Sequence, residues 1–409
     1  MTETHTEWIE SKLRGTTKDT FVRKILVSFT LLLVASAPSN ETWALPAPAK
    51  ALGQKPLPTP VPSKVLIFPK DFSLGTIRAR DKNSRSPEDW KLLGKKSQAQ
   101  GSVRVPLDMD LRLDVDPKGA KHLEVLIDGF KNTDLFMLNL GRLSVTDADM
   151  KYVGRISGLH ILNLRGTPIT DKGVAHLSFL TRLETLYLDN TKITDNGLDY
   201  LKGMTNLAHL DLAQNTGSEP PRITDAGAEK IGAMKTLFYL NLEGSAVTDN
   251  GISKLYGLSH LYSLNLSKSK VTDAGLASLQ SLSTLRDLFL NDTAVTDTGL
   301  AQLRGMQMLQ NISLNNSKVT EKGLDPLNAF GGLSSLEFRS TDPISSAGMN
   351  SLKSMRVLRK LTINKGQLTD DLLKDLKTAR PELQIFEIDQ QAAPKQSEPK
   401  EDNSEAKPK

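Results

Sequence analysis

Leucines alternate with polar or aromatic residues in a short segment that returns along most of the chain. Leu138-Asn139-Leu140, Leu162-Asn163-Leu164, Leu186-Tyr187-Leu188, Leu210-Asp211-Leu212, Leu240-Asn241-Leu242, Leu264-Asn265-Leu266 and Leu288-Phe289-Leu290 are the regular copies. Ile312-Ser313-Leu314, Leu336-Glu337-Phe338 and Leu361-Thr362-Ile363 continue the series. A period of two sends neighbouring side chains to opposite faces, so each segment predicts a short strand with one face buried. A Thr-Asp pair follows most strands, at Thr146, Thr170, Thr194, Thr224, Thr248, Thr272, Thr296 and Thr369, with Thr320-Glu321 and Ser345-Ser346 in the remaining slots. Neighbouring pairs lie 24 residues apart, save for one interval of 30 and one of 25. Behind each pair the apolar residues fall three apart, as in Leu198, Leu201 and Met204, or Leu276, Leu279 and Leu282. That spacing is one stripe of a short helix. A single strand-helix unit cannot bury its stripe, but a stack of them makes one continuous core. The expected fold class is therefore α/β: a solenoid with a curved parallel sheet on the concave side and short helices on the convex side. It runs over residues 135–390 in about ten repeats.

The string Leu-x-Leu-x-x-Thr-x-Ile-Thr-Asp-x-Gly-Leu-x-x-Leu resembles the leucine-rich repeats of the ribonuclease-inhibitor-like superfamily. It is most similar to those of exported planctomycete bacterial proteins and of the repeat part of F-box proteins. The resemblance covers about Leu123 to Asp389. It implies a protein-binding solenoid. The eukaryotic relatives carry Cys among the repeat positions; this chain has none and shows no F-box-like segment before its repeats.

Thr or Asp directly before an apolar helical run accepts hydrogen bonds from unpaired N–H groups, and Asp favours the positive helix end. The Thr-Asp pairs are read as helix caps on that ground, in preference to a metal-binding acidic ladder. Thr167, Thr191, Ser245, Ser269, Thr293 and Ser317 recur just after the strands, where a hydroxyl bonds nearby backbone.

Outside the repeats the composition changes. Residues 1–44 hold Arg23 and Lys24 ahead of an uncharged run from Ile25 to Ala37, followed by small residues up to Ala44. This is a signal peptide cut after Ala44, or else an uncleaved membrane anchor. Residues 45–64 are Pro-rich and predict an extended linker. Residues 65–134 are expected to form a β-rich cap over the first repeat, because Val103, Val105, Leu107, Met109, Leu111, Leu113 and Val115 alternate without a break. The other face of that run carries Asp108, Asp110, Asp114 and Asp116, a solvated acidic face or a calcium site of unfamiliar spacing. Residues 391–409 lack aromatics and predict a disordered tail. The location expected is periplasmic or extracellular, in a bacterial envelope, with membrane attachment as the alternative.

Composition narrows the function further. With 52 Lys+Arg against 47 Asp+Glu, and the basic residues scattered, there is no nucleic-acid footprint. Zero Cys removes disulfides and thiolate metal sites, and no two of the six His stand at metal-ligand spacing. No catalytic residue, metal or cofactor is therefore assigned, and the chain is expected not to be an enzyme. What remains is the concave face. Residues between and beside the inward leucines point away from the core: Asn163 and Arg165, Tyr187 and Asp189, His209 and Asp211, Tyr239, Asn241 and Glu243, then Asp287 and Phe289. Aromatics ringed by polar groups are the material of interface hot spots. The 30-residue interval adds a loop from Gln214 to Pro221, with Gln214, Asn215 and Glu219 beside the same patch. The partner expected is a protein or peptide on a monomeric solenoid. The alternative is an anchored envelope scaffold that contacts wall polymer or surface structures.

Overall fold

Three residues suffice for most strands of the repeats because neighbouring strands hold each on both sides. A computed structural model of the protein describes residues 62–84, 86–93, 98–130, 135–214 and 222–389. Eleven parallel strands follow one another in sequence order: β6 Met137–Asn139, β7 Ile161–Asn163, β8 Thr185–Tyr187, β9 His209–Asp211, β10 Tyr239–Asn241, β11 Ser263–Asn265, β12 Asp287–Phe289, β13 Asn311–Ser313, β14 Ser335–Glu337, β15 Lys360–Asn364 and β16 Gln384–Ile388. Their register aligns Leu162 with Leu186, Leu210, Leu240, Leu264 and Leu288 in one inward row. All six are fully buried. Short helices on the opposite side, such as Asp225–Ile231 and Asp273–Ser278, supply the other wall of the core. The chain is a leucine-rich-repeat solenoid.

The Thr-Asp pair divides its work between two repeats, which corrects the reading of both residues as caps of one helix. The Thr does cap its own helix: Oγ1 of Thr170, Thr248 and Thr296 each accepts from an N–H two residues on, at 3.2 Å. The Asp instead accepts from the next repeat's Thr. Asp249 Oδ1 takes the Thr272 N–H at 2.7 Å and Oδ2 takes its hydroxyl at 2.6 Å. The same pair of bonds joins Asp147 to Thr170, Asp171 to Thr194, Asp195 to Thr224, Asp225 to Thr248, Asp273 to Thr296 and Asp297 to Thr320. Glu321 and Ser345, the divergent slots, make the last rung together.

This ladder explains the glycine of the motif. A Cβ at Gly173 or Gly275 would lie 2.5 Å from the carboxylate of Asp147 or Asp249. The glycine is needed only where a carboxylate arrives from the preceding repeat. The first repeat has no such donor of a carboxylate, and there the glycine position holds Asp149, which closes a capping box on Thr146. In the last repeat the preceding slot is Ser346, no rung is made, and the glycine position holds Leu372. The hydroxyls after the strands bond back to their own strand end: Thr167, Thr191 and Thr293 donate to the carbonyls of Leu164, Leu188 and Leu290 at 2.6–2.7 Å.

The N-terminal region continues the concave sheet. β5, Met109–Val115, runs parallel to β6; β2, Gly75–Asp81, pairs antiparallel with β5; and β3, Lys91–Leu92, ends the sheet. The alternation from Val103 to Val115 is not one strand. It breaks at a turn at 107–108, so that β4, Ser102–Pro106, pairs with β1, Ser63–Ile67, in a separate two-stranded sheet. Of the acidic face, Asp114 pairs with Arg78 and Arg112, Asp110 with Arg80, and Asp116 accepts the N–H groups of Lys118 and Gly119. Among the described residues no group of three His, Asp or Glu is placed to hold a metal ion. At the far end, Arg380 is buried after the last helix, Asp370–Ala379, and donates to the carbonyls of Met355 at 2.6 Å and Leu358 at 2.8 Å. It satisfies groups that a further repeat would otherwise cover.

Candidate interaction surface

Strand register sets which outward side chains meet. Ile161, Thr185, His209, Tyr239, Ser263 and Asp287 form one row across the concave face. Asn163, Tyr187, Asp211, Asn241, Asn265 and Phe289 form the next. The Asn and Asp of the second row also shape the chain. Oδ1 of Asn163, Asp211 and Asn241 accepts the N–H of Arg165, Ala213 and Glu243, each at 3.0 Å, which turns the backbone out of the strand.

Three of the four aromatic groups assigned to this face come together. The His209 ring stacks on Tyr239 at 4.0 Å and 14°, and meets Tyr187 at 5.0 Å and 57°. Phe289 lies two strands away from Tyr239. Tyr239 and Phe289 are only 6% and 7% exposed, so they do not stand in solvent as the sequence pattern suggests. Strands about 4.8 Å apart let each ring be covered by those beside it. Tyr187 and His209 remain half-buried.

Charge gathers at the same place. Arg165 Nε donates to Oδ2 of Asp189, a carboxylate with no exposed side-chain surface. Asn190 donates to the same oxygen at 3.3 Å, while Oδ1 of Asp189 has no hydrogen-bond partner. Burial raises the pKa of Asp189 above the usual carboxylate range, although Arg165 works against it. Asp211 is pushed up to about 7, first by burial and then by the charge of Asp189, against the opposing pull of Arg165 and of hydrogen bonds from Ala213 and Asn241. Burial lowers His209 to about 3 and keeps its imidazole neutral; Nε2 is enclosed without a partner. Burial also costs Arg165 some of its charge preference, but the Asp189 bond outweighs this and raises its pKa. Glu243 pairs with Lys268 at 2.8 Å and Asp287 accepts from Asn311. Asp211 has no ion pair among the described residues.

Gln214 is held beside this cluster: its N–H reaches the Glu243 carbonyl at 2.8 Å and its Oε1 accepts from the Arg222 N–H at 3.3 Å. Asn215 and Glu219 lie outside the described residues. A second aromatic row, on the residues that precede the strands, escaped the sequence reading. Phe136 stacks on His160 at 4.4 Å, Phe238 on Tyr262 at 4.7 Å, and Arg80 covers Trp90 and Phe136 at 4.5 and 4.8 Å. Their 24-residue spacing, Phe136 to His160 and Phe238 to Tyr262, was the available signal.

No curated protein sequence matches the chain. Among solved structures, an internalin (inlF) from Listeria monocytogenes is similar at 23% identity and a TM-score of 0.45, over 67% of this chain and 89% of that one. Residues 159–178 and 257–279 match the family model described as leucine rich repeat, so the chain carries leucine-rich repeats by sequence as well as by fold.

Proposed function

We propose that the protein is an exported, non-catalytic interaction module that holds a protein or peptide partner on its concave face. The observation that carries the reading is the cluster on β7 to β10, where Tyr187, His209 and Tyr239 pack beside Arg165, Asp189 and Asp211. Rigid aromatic surface with adjacent charge supports partner binding at low entropic cost. The stacked repeats support it further, since they fix the three rings on strands and the charged groups in the turns that directly follow them. Residues Asn163, Asn241, Glu243, Asp287 and Phe289, with Gln214, extend the surface. No metal, cofactor or nucleic acid has a part in this function.

The test is an affinity selection of a displayed peptide library on the full chain, followed by binding measurements on variants. Tyr187→Ala and Glu243→Lys should weaken recovered binders, while Tyr256→Ala, 71% exposed away from the strands, should not. Equal binding by all three variants would remove the concave face as the site. The uncharged run from Ile25 to Ala37 supports export, and also a second reading in which an uncleaved segment anchors an envelope scaffold. Among the described residues no helix is long and apolar enough to cross a membrane, and Ile25–Ala37 lies outside them. The mass of the mature N-terminus separates the two: a start near Leu45 supports release, and an intact chain in the membrane fraction supports the scaffold.

A further inference from the structure

The charges on β7 to β10 do not balance. Asp189 and Asp211 are both buried, and among the described residues the Arg165 guanidinium pairs only with Asp189. The next carboxylate along the face, Glu243, is already matched by Lys268. Neutral His209 contributes no charge. One carboxylate is therefore left without a cation, at Asp211, which lies in register with Tyr187 and two residues along the strand from His209. The groups without partners nearby favour donors in a ligand: Asp189 Oδ1 can only accept, while His209 Nε2 and the buried Ser263 Oγ, in register with Tyr239, can accept as well.

Building on the concave-face reading, we propose that the cluster of Tyr187, His209, Tyr239 and Asp211 receives one basic side chain, Lys or Arg, of a protein partner. Aromatic faces attract a cation through their ring electrons, and the attraction strengthens where water is excluded. A carboxylate at the same spot supplies the counter-charge and accepts the hydrogen bonds of an ammonium or guanidinium. The raised pKa of Asp211 fits this role, because an uncompensated buried carboxylate holds a proton until a cation arrives to replace it. The half-accessible Tyr187 and His209 form the side from which the cation enters. Groups facing Asp211 from the neighbouring repeats are Arg165 just after β7, Tyr187 on β8 and Asp189 just after it, His209 on β9, and Tyr239 and Asn241 on β10 with Glu243 just after it.

The test uses N-acetyl-arginine amide and its neutral isostere N-acetyl-citrulline amide as probes, followed by NMR or calorimetry on the full chain. The arginine probe should bind and the citrulline probe should be weaker by roughly ten- to a hundredfold, the range for losing a hydrogen bond to a charged group. Binding should release protons below pH 7 and tighten as pH rises through 7. Asp211→Asn, which keeps an oxygen for the Ala213 N–H, should abolish the difference between the probes. Equal binding of both probes by the native chain overturns the proposal and requires no variant. Binding of spermidine with no response to the arginine probe overturns it as well, since the site then takes a free polyamine. If the arginine probe fails while Tyr187→Ala still weakens the selected peptides, only this inference falls and the concave-face function stands.

Discussion

Replacing Gly275 by Ala sets two well-defined effects against each other. Gly275 lies in the helix Asp273–Ser278, where Ala is the better helix former by about 1 kcal/mol. Propensity alone therefore predicts a stabilised protein. The structure predicts the reverse. The new Cβ would lie 2.5 Å from Asp249 Oδ1, with Val271 Cγ1 at 3.1 Å and Asp249 Cα at 3.3 Å limiting any sideways escape. The carboxylate must swing out and give up its bonds of 2.7 and 2.6 Å to Thr272. Hydrogen bonds to a charged group contribute ~1.5–3 kcal/mol when buried. Asp249 is half-buried, so about 1 kcal/mol for each is appropriate after screening. The loss of roughly 2 kcal/mol exceeds the gain of about 1, and Gly275→Ala should destabilise by about 1 kcal/mol or more. In an Asp249→Ala background the clash is gone, and the same substitution should stabilise by up to about 1 kcal/mol. The assay is urea denaturation followed by circular dichroism on the four proteins of the cycle. A higher urea midpoint for Gly275→Ala in the native background, or no change of sign in the Asp249→Ala background, would refute the ladder as the reason for the glycine.

Other expectations follow from the same geometry. Leu264→Ala removes a fully buried inward leucine and should cost roughly 2–5 kcal/mol, read from the same denaturation curves. The cluster's pH response should be split between two groups of opposite sign. His209, lowered to about 3, contributes stability that is complete above the ordinary histidine range and is lost as pH falls from about 6.5 toward 3. Asp211, raised to about 7, contributes stability in its protonated form that is present below its ordinary carboxylate value of 3.8 and is lost as pH rises from there to about 7. The two nearly cancel between pH 4 and 6.5; Asp211→Asn should therefore make stability fall on acidification, and a rise instead would contradict the assignment. Asp225 titrates below the usual range because, although burial opposes its charge, bonds from Thr248, Gly251 and Asn250 outweigh that. Its rung should accordingly hold above the ordinary carboxylate value and loosen as pH falls below it, seen as faster amide exchange at Thr248.

The strands and their order were legible because a 24-residue period repeats one local pattern ten times, and every copy reports the same buried leucines. The Thr-Asp pair shows where that legibility ends. Residue type and position indicated a cap, and Thr170 or Thr296 is one. That the Asp reaches into the next repeat depends on how closely repeats stack, which no single repeat encodes. The break between Val105 and Met109 was invisible for a related reason: alternation persists through the turn, while the two halves enter different sheets. On the concave face the sequence placed Tyr187, His209, Asp211, Tyr239 and Phe289 on one outward surface. It gave no measure of sheet crowding, so the burial of Tyr239 and Phe289 and the displaced pKa of Asp211 came only with the packing.

The rungs have a consequence for how the molecule can change length. From Asp147 to Thr320 each junction presents the same Asp carboxylate to the same Thr and glycine, so these units fit one another. Excising residues 249–272 would join Thr248 to Asp273, keep the Asp225–Thr248 and Asp273–Thr296 rungs, and leave β7 to β10 in place while removing the Lys268 partner of Glu243. Tandem duplication or loss of whole units can therefore resize the array while its binding cluster stays constant. The two ends, where Asp149 and Leu372 replace the glycine, and the Glu321–Ser345 junction are not interchangeable with the rest.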